Sequence, residues 1–203
     1  AADMLGMYRF RQITDETAVL GVVGFPVAHS MSPTLHNAAC EELGIDAVYL
    51  PFEVAEGEGS FNRFLDAILA AGWLNVRGLS VTIPHKRAAF NHADGVEPHT
   101  AKIGAANTLV IQKDGRVEAY NTDYAAAMQA LCDGANLRPQ DLAGKRVAVL
   151  GAGGVSRAVV AGLTDAGCHV TICNRTLSRA QELAQEFGCQ VEEWDNRGRL
   201  RPN

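Results

Sequence analysis

The stretch RVAVLGAGGVSR, residues 146–157, runs from a β-branched strand pattern through a glycine turn into a helical pattern. Gly151, Gly153 and Ser156 are its three small positions. The first permits a tight turn, the second lets a pyrophosphate approach the backbone, and the third lets helix and strand pack closely. With Ala152, Gly154 and Val155 they form a loop that delivers the N–H groups of a helix start to an anion. A glycine turn alone is weak evidence. This one sits between a strand at 146–150 and a helix at 155–166, and a second strand (169–173) and helix (177–187) complete a βαβ unit. The end of that second strand selects the dinucleotide. An NAD site presents Asp or Glu there to hold the ribose hydroxyls. Here the chain reads Asn174-Arg175-Thr176, with Arg179 one turn on. Two guanidiniums and a hydroxyl suit the 2'-phosphate of NADP, which a carboxylate would repel. The charge pattern favours NADP over a merely solvated helix start.

Upstream, the polar stretch 136–145, with Pro139 inside it, reads as a domain boundary. Before it, strands at 19–24, 48–54 and 79–83 alternate with helices at 32–43, 61–71 and 86–92. In the second of these helices Phe61, Phe64, Leu65 and Ile68 share one face. Ser32 is a natural N-cap for the first, with Pro33 at the first helical position. Residues 108–112 and 117–120 flank Asp114-Gly115, a hairpin signal. An alanine-rich helix begins at Asp123 and runs to about Cys132, ended by Gly134. The fold class is therefore α/β: an N-terminal, mainly parallel α/β substrate domain followed by a partial Rossmann dinucleotide-binding domain. The expected spans are a linker at 1–17, a catalytic substrate domain at 18–122, a connecting helix and linker at 123–143, and the partial cofactor domain at 144–203. The polar tract from 193 onward reads as loop or frayed tail.

At 203 residues, 47% hydrophobic and 20% charged, the composition is that of a folded chain rather than a disordered one. A net charge of −5 offers no basic field for nucleic acid. The five cysteines (Cys40, Cys132, Cys168, Cys173, Cys189) are scattered and odd in number. They show neither zinc spacing nor a secreted disulfide framework, so no metal site and a cytoplasmic location are expected. No apolar run approaches the roughly 18 residues a spanning helix needs, and no signal-peptide pattern opens the chain. A small molecule, not nucleic acid or membrane, is the expected partner.

GFPVAHSMSPTLHN (24–37), VTIPHK (81–86), GAANT (104–108), NTDYAAA (121–127), GAGGVSR (151–157) and NRTLSRA (174–180) resemble the successive motifs of shikimate dehydrogenases, in that family's order and spacing. The resemblance covers about 19–187. It implies a two-domain enzyme that reduces 3-dehydroshikimate to shikimate with NADP, in aromatic amino acid biosynthesis. It also implies that Lys86 and Asp123 are the catalytic pair, that Ser30 and Ser32 bind the substrate carboxylate, and that Thr82 and Asn107 bind ring hydroxyls. The residues have physical readings of their own. Ser30 and Ser32 lie on a turn entering a helix, where hydroxyls and helix end can face one anion; hydrogen bonds to a charged group contribute about 1.5–3 kcal/mol each. Alone, Ser32 reads as a cap, Lys86 as a solvated lysine and Asp123 as a helix-start carboxylate. His29, His36 and His85 lie near these motifs and are assigned no chemistry.

Three departures stand out. Ser80 occupies a position where many bacterial members carry Asn. MYRFRQI (7–13) resembles the last segment of type I 3-dehydroquinate dehydratases, which implies a dehydratase fused upstream. By the same resemblance the C-terminal part is expected to be absent after Phe187: further strands, a nicotinamide-positioning loop and a helix bearing a substrate-contacting Gln. The 203 residues alone are then expected to bind cofactor weakly and turn over almost nothing. Two rival readings remain: a quinate/shikimate dehydrogenase using NAD, and a non-catalytic ligand-sensing module or ligand-binding fragment. Asn174-Arg175-Thr176 and the serine pair argue against the first, and Lys86 with Asp123 against the second.

Overall fold

The computed structural model describes residues 2–200; residue 1 of the expected linker and residues 201–203 of the expected tail lie outside them. A short helix, α1 (Ala2–Leu5), and a 3-10 turn (Phe10–Gln12) lead to the first strand. That strand, AVLGVVG, is apolar or glycine throughout and rich in Val, as suits a strand covered on both faces. It forms β1 (Ala18–Gly24), and α2 (Ser32–Glu42), β2 (Ala47–Glu53), α3 (Ser60–Ala70), β3 (Val76–Val81) and α4 (Lys86–His92) follow. Then come β4 (Gly95–Val96), α5 (Pro98–Ile103), β5 (Thr108–Ile111) and β6 (Val117–Tyr120). β1 pairs parallel with both β2 and β3, whereas β5 runs antiparallel between β3 and β6. The result is a six-stranded mixed sheet in the order β2-β1-β3-β5-β6-β4.

The sheet has two covered faces. On one, Val19, Val23, Val48, Leu79 and Val81 pack with Phe61 and Leu65 of α3 and Ala89 of α4. The opposite face carries a smaller cluster of Val22, Val27 and Tyr49, with Leu20 against it, beside α2. Gly21 and Gly24 are small because neighbours crowd them. A Cβ on Gly21 would lie 2.4 Å from the Phe52 ring, and one on Gly24 would lie 2.3 Å from Thr82 Cγ2.

Beyond Tyr120 the chain forms a second compact unit, Asn121–Asn203. It contains α6 (Thr122–Ala135), a 3-10 turn (Pro139–Leu142), β7 (Arg146–Leu150), α7 (Ser156–Asp165), β8 (His169–Asn174), α8 (Leu177–Phe187) and β9 (Gln190–Glu193). The three strands pair in parallel in the order β7-β8-β9. The core joins Val160 and Leu163 of α7 to Ile172 of β8 and to Ala180 and Leu183 of α8.

Several expectations need correcting. α6 is more than a connector: it packs on α7 within the second unit, and a Cβ at Gly162 would meet Met128 Sδ at 2.6 Å. It also runs past Gly134 to Ala135, where Asn136 ends it in the left-handed conformation at φ 51°. The tract after 193 is not loose within the described residues: β9 enters it, and a 3-10 helix (Trp194–Arg199) follows. β4 and α5 have no counterpart in the sequence reading.

Candidate functional site

Because β1, β3 and β6 share one direction and β5 opposes them, the carboxyl ends of the first three and the start of β5 lie along one edge of the sheet. Open α/β sheets present their ligand sites at such an edge. Ser30 lies in the loop leaving β1, and Ser32 is the first residue of α2. Ser32 is not the cap, contrary to the sequence reading. Met31 holds that position without a side-chain bond, and Ser30 Oγ instead accepts the Ser32 N–H at 3.2 Å. Both hydroxyls therefore sit at the opening turn of α2, and both are partly exposed.

Thr82 follows β3, its N–H donating to Val23 O at 2.9 Å, and the adjacent Phe25 N–H donates to Ile83 O at 2.9 Å. These bonds lock the two loops together. Gly24 makes room for the Thr82 side chain, as described above. Lys86 is the first residue of α4, and its carbonyl accepts the Ala106 N–H at 2.9 Å. Asn107 is anchored on both sides: Val81 N–H donates to its carbonyl at 2.7 Å, and its own N–H donates to Tyr120 O at 3.1 Å. Its Oδ1 accepts the Thr108 hydroxyl at 3.0 Å. Ser30, Ser32, Thr82, Lys86 and Asn107 thus share one edge, on loops and helix starts, with the β1 and β3 loops and Asn107 held by backbone bonds. Beside them, His85 is buried and fixed through Nε2 to Val54 O at 2.7 Å, with its ring against Phe61. Its place is structural.

In the second unit Asp123 is the second residue of α6, and Asn121 is the cap, its Oδ1 accepting the Asp123 N–H at 3.0 Å. Asp123 thus places a carboxylate in the first turn of α6. At the glycine loop, Gly151 has φ 123°, a region closed to residues with a Cβ. Its N–H donates to Cys173 O at 2.7 Å, closing the turn onto β8. Ser156 Oγ accepts the Gly153 N–H at 3.1 Å, and Asn174 Oδ1 accepts the Ala152 N–H at 3.1 Å. Asn174 therefore braces the loop across the two strands, while its Nδ2 holds Thr176 O at 2.8 Å. Gly153, Gly154 and Val155 are exposed ahead of α7, with open space where a Cβ on Gly153 would stand.

Arg175, Thr176 and Arg179 are exposed at the β8 end and the first turn of α8. Neither guanidinium meets a carboxylate among the described residues, so both are available to an external dianion. Arg157 behaves differently: it pairs with Glu186 and lies over the Phe187 ring, tying α7 to α8. The Cys173 thiol is pushed up by burial and by the neighbouring Glu192 charge, which keeps it a neutral packing group. The loop and the arginines fit a dinucleotide bearing a phosphate on its adenosine ribose.

The family description "Shikimate dehydrogenase substrate binding domain" matches residues 22–109, and "Shikimate / quinate 5-dehydrogenase" matches residues 133–196. The chain belongs to the shikimate dehydrogenase family. Among its relatives, the shikimate dehydrogenase (NADP(+)) of Methanocella arvoryzae is 50% identical over 168 residues, covering 82% of this chain and 57% of the relative. The chloroplastic bifunctional 3-dehydroquinate dehydratase/shikimate dehydrogenase of Arabidopsis thaliana is 38% identical over 196 residues, covering 92% of this chain and 31% of that protein. In three dimensions, the shikimate 5-dehydrogenase of Thermus thermophilus, solved with NADP(H) and shikimate, matches with a TM-score of 0.69 at 37% identity. That match covers 86% of this chain and 62% of the other. The chain spans somewhat under three fifths of the Methanocella enzyme's length. Within this family frame, the β1–α2 loop, the β3–α4 loop and the start of β5 carry the substrate-domain motifs, and the β7–α7 turn with the β8 end carries the cofactor motifs.

Proposed function

We propose that this chain contributes the substrate domain and the adenosine-binding part of an NADP-dependent shikimate dehydrogenase. Support comes foremost from Ser30, Ser32, Thr82, Lys86 and Asn107 lying along one sheet edge, in motifs that match the family throughout. Ser30 and Ser32 hold the substrate carboxylate at the start of α2, while Thr82 and Asn107 accept and donate to ring hydroxyls. NADPH, when bound, supplies the hydride that reduces the ketone carbon of 3-dehydroshikimate. Lys86 donates a proton to the ketone oxygen as it becomes the hydroxyl of shikimate. Asp123, in the first turn of α6, accepts a hydrogen bond from a ring hydroxyl of the substrate. Gly151, Ala152, Gly153, Gly154 and Val155 cradle the pyrophosphate. Asn174, Arg175, Thr176 and Arg179 take the adenosine ribose and its 2'-phosphate, which argues against an NAD enzyme.

In the full-length protein, Lys86→Ala should slow shikimate oxidation by about 10²–10⁴-fold, the usual scale for a positioned acid–base group. Shikimate affinity should change far less. A variant turning over within tenfold of wild type would remove Lys86 from the mechanism. We further propose that a 3-dehydroquinate dehydratase domain precedes this segment, supported by the MYRFRQI stretch and by the match to the bifunctional plant protein. Within that stretch Tyr8 packs on the substrate-domain core and Arg9 Nη2 donates to Ala47 O at 2.6 Å. Among the described residues no helix is long and apolar enough to cross a membrane. The five free thiols support a reducing, cytoplasmic setting.

A further inference from the structure

Tyr49 is the polar member of an otherwise apolar cluster. Its side chain shares a face of the sheet with Leu20, Val22 and Ser80, because Leu20 pairs with Tyr49 and Val22 with Ser80 across the parallel ladder. The residue is only 4% exposed. α2 holds it rigidly. Asn37 Nδ2 donates to the Tyr49 carbonyl at 2.9 Å, Asn37 Oδ1 accepts the Tyr49 N–H at 2.9 Å, and the His36 ring stacks on the phenol at 4.4 Å. Yet the hydroxyl at the end of this fixed ring is sealed from solvent and makes no hydrogen bond among the described residues. Its neighbours are the side chains of Ser32 and Ser80. Burial raises the phenol above its ordinary range, against a smaller opposing pull from those two serines, so it remains an O–H donor.

A buried donor held in place without an acceptor costs stability, and such groups call for a reason. The geometry supplies one. Ser32 is the first residue of α2 and neighbours the phenol, and a hydroxyl at that position has one proton to give to an anion. With that proton given, its lone pairs are left to accept from Tyr49.

Resting on the functional reading above, we propose that Tyr49 is a positioning residue for the substrate carboxylate. Its O–H donates to Ser32 Oγ when Ser32 donates to the carboxylate, and the Ser80 hydroxyl donates to the phenol oxygen from behind. Such a chain of hydroxyls strengthens each bond along it, and does so most when the terminal acceptor is charged. The ligand-free protein keeps the phenol unpaired, and substrate completes the chain.

Tyr49→Phe removes this O–H and keeps the ring that packs on His36. In the full-length protein the variant should bind shikimate about tenfold more weakly, the equivalent of one hydrogen bond, with kcat within about twofold of wild type. For methyl shikimate, which lacks the negative charge, the two proteins should differ by less than about twofold. The ligand-free variant should melt at or above the wild-type temperature, because a buried unpaired hydroxyl has gone. Equal shikimate affinity in the two proteins would overturn the proposal. So would an equal loss for acid and ester with a lower ligand-free melting temperature, the mark of a scaffold residue. A wild-type protein that fails to bind shikimate at all would instead overturn the functional reading, and the relay with it.

Discussion

At Ser30 and Ser32 the sequence offers two hydroxyls and a helix start, and local rules assign the cap to Ser32. The structure makes Ser32 helical and gives the bond to Ser30. The same shift of function by two residues recurs at Asn121 and Asp123. In both cases the residue types were legible, and the division of labour was not, because it depends on where the first helical turn closes. Tyr49 was less legible still. A tyrosine within VYLPFEV reads only as a strand former, and its placement behind Ser32 is set by the packing of α2, which no local pattern records. The expected cofactor residues are the most legible in sequence, since the roles proposed for Gly151 and Arg175 rest on backbone freedom and charge. Replacing Arg175 with Asp exchanges a phosphate partner for a repellent. In the full-length protein this should weaken NADP by about ten- to a hundredfold, the worth of one charge-assisted hydrogen bond, and leave NAD nearly unchanged. Calorimetric titration of both cofactors checks this, and an unaltered NADP-to-NAD ratio would place the phosphate elsewhere.

Among the elements, long amphipathic helices and β-branched strands were recoverable from periodicity, and the short or polar ones were not. β9, QVEE, has little strand character and exists by pairing with β8. α5 was missed although Pro98 opens it and Gly104 closes it, because its cap is Glu97 rather than a more usual capping residue. The Glu97 carboxylate accepts the Thr100 N–H at 2.9 Å and the buried Thr100 hydroxyl at 3.0 Å. Partial burial works to raise its pKa, but the bonds from Thr100 and the nearby His99 outweigh that and hold it below its usual value of 4.5. The cap therefore stabilises the protein fully above about pH 4.5 and loses that contribution as pH falls through the lowered folded value. Glu97→Ala should cost about 1 kcal/mol at pH 7, in line with other N-caps. Urea melts at pH 7 and pH 3 test this: the gap between variant and wild type should close in acid. A gap independent of pH would mean that the charge contributes nothing.

On the scale of the whole molecule, the division into an α/β substrate unit and a dinucleotide-binding unit followed from two signals, alternating strands and helices and the glycine turn at 151–157. The sequence reading ends the substrate domain at 122 and treats 123–143 as a connector with the boundary in the polar stretch 136–145, whereas the second compact unit begins at Asn121 and takes in that helix and stretch. The reason is physical. α6 carries its apolar side, including Met128 and Leu131, against the second core, so the polar stretch is a loop within that unit. The antiparallel β5–β6 hairpin was visible from Asp114-Gly115, but its insertion beside β3, which brings Asn107 to the carboxyl edge, needed the register. The role proposed for these residues is NADP-linked oxidation and reduction of shikimate. The most direct measurement is the initial rate of dinucleotide reduction by the full-length protein, with shikimate or quinate as substrate and NADP⁺ or NAD⁺ as acceptor. Reduction should be fastest with shikimate and NADP⁺ together. No shikimate-dependent reduction, or faster turnover of quinate with NAD⁺, would contradict it.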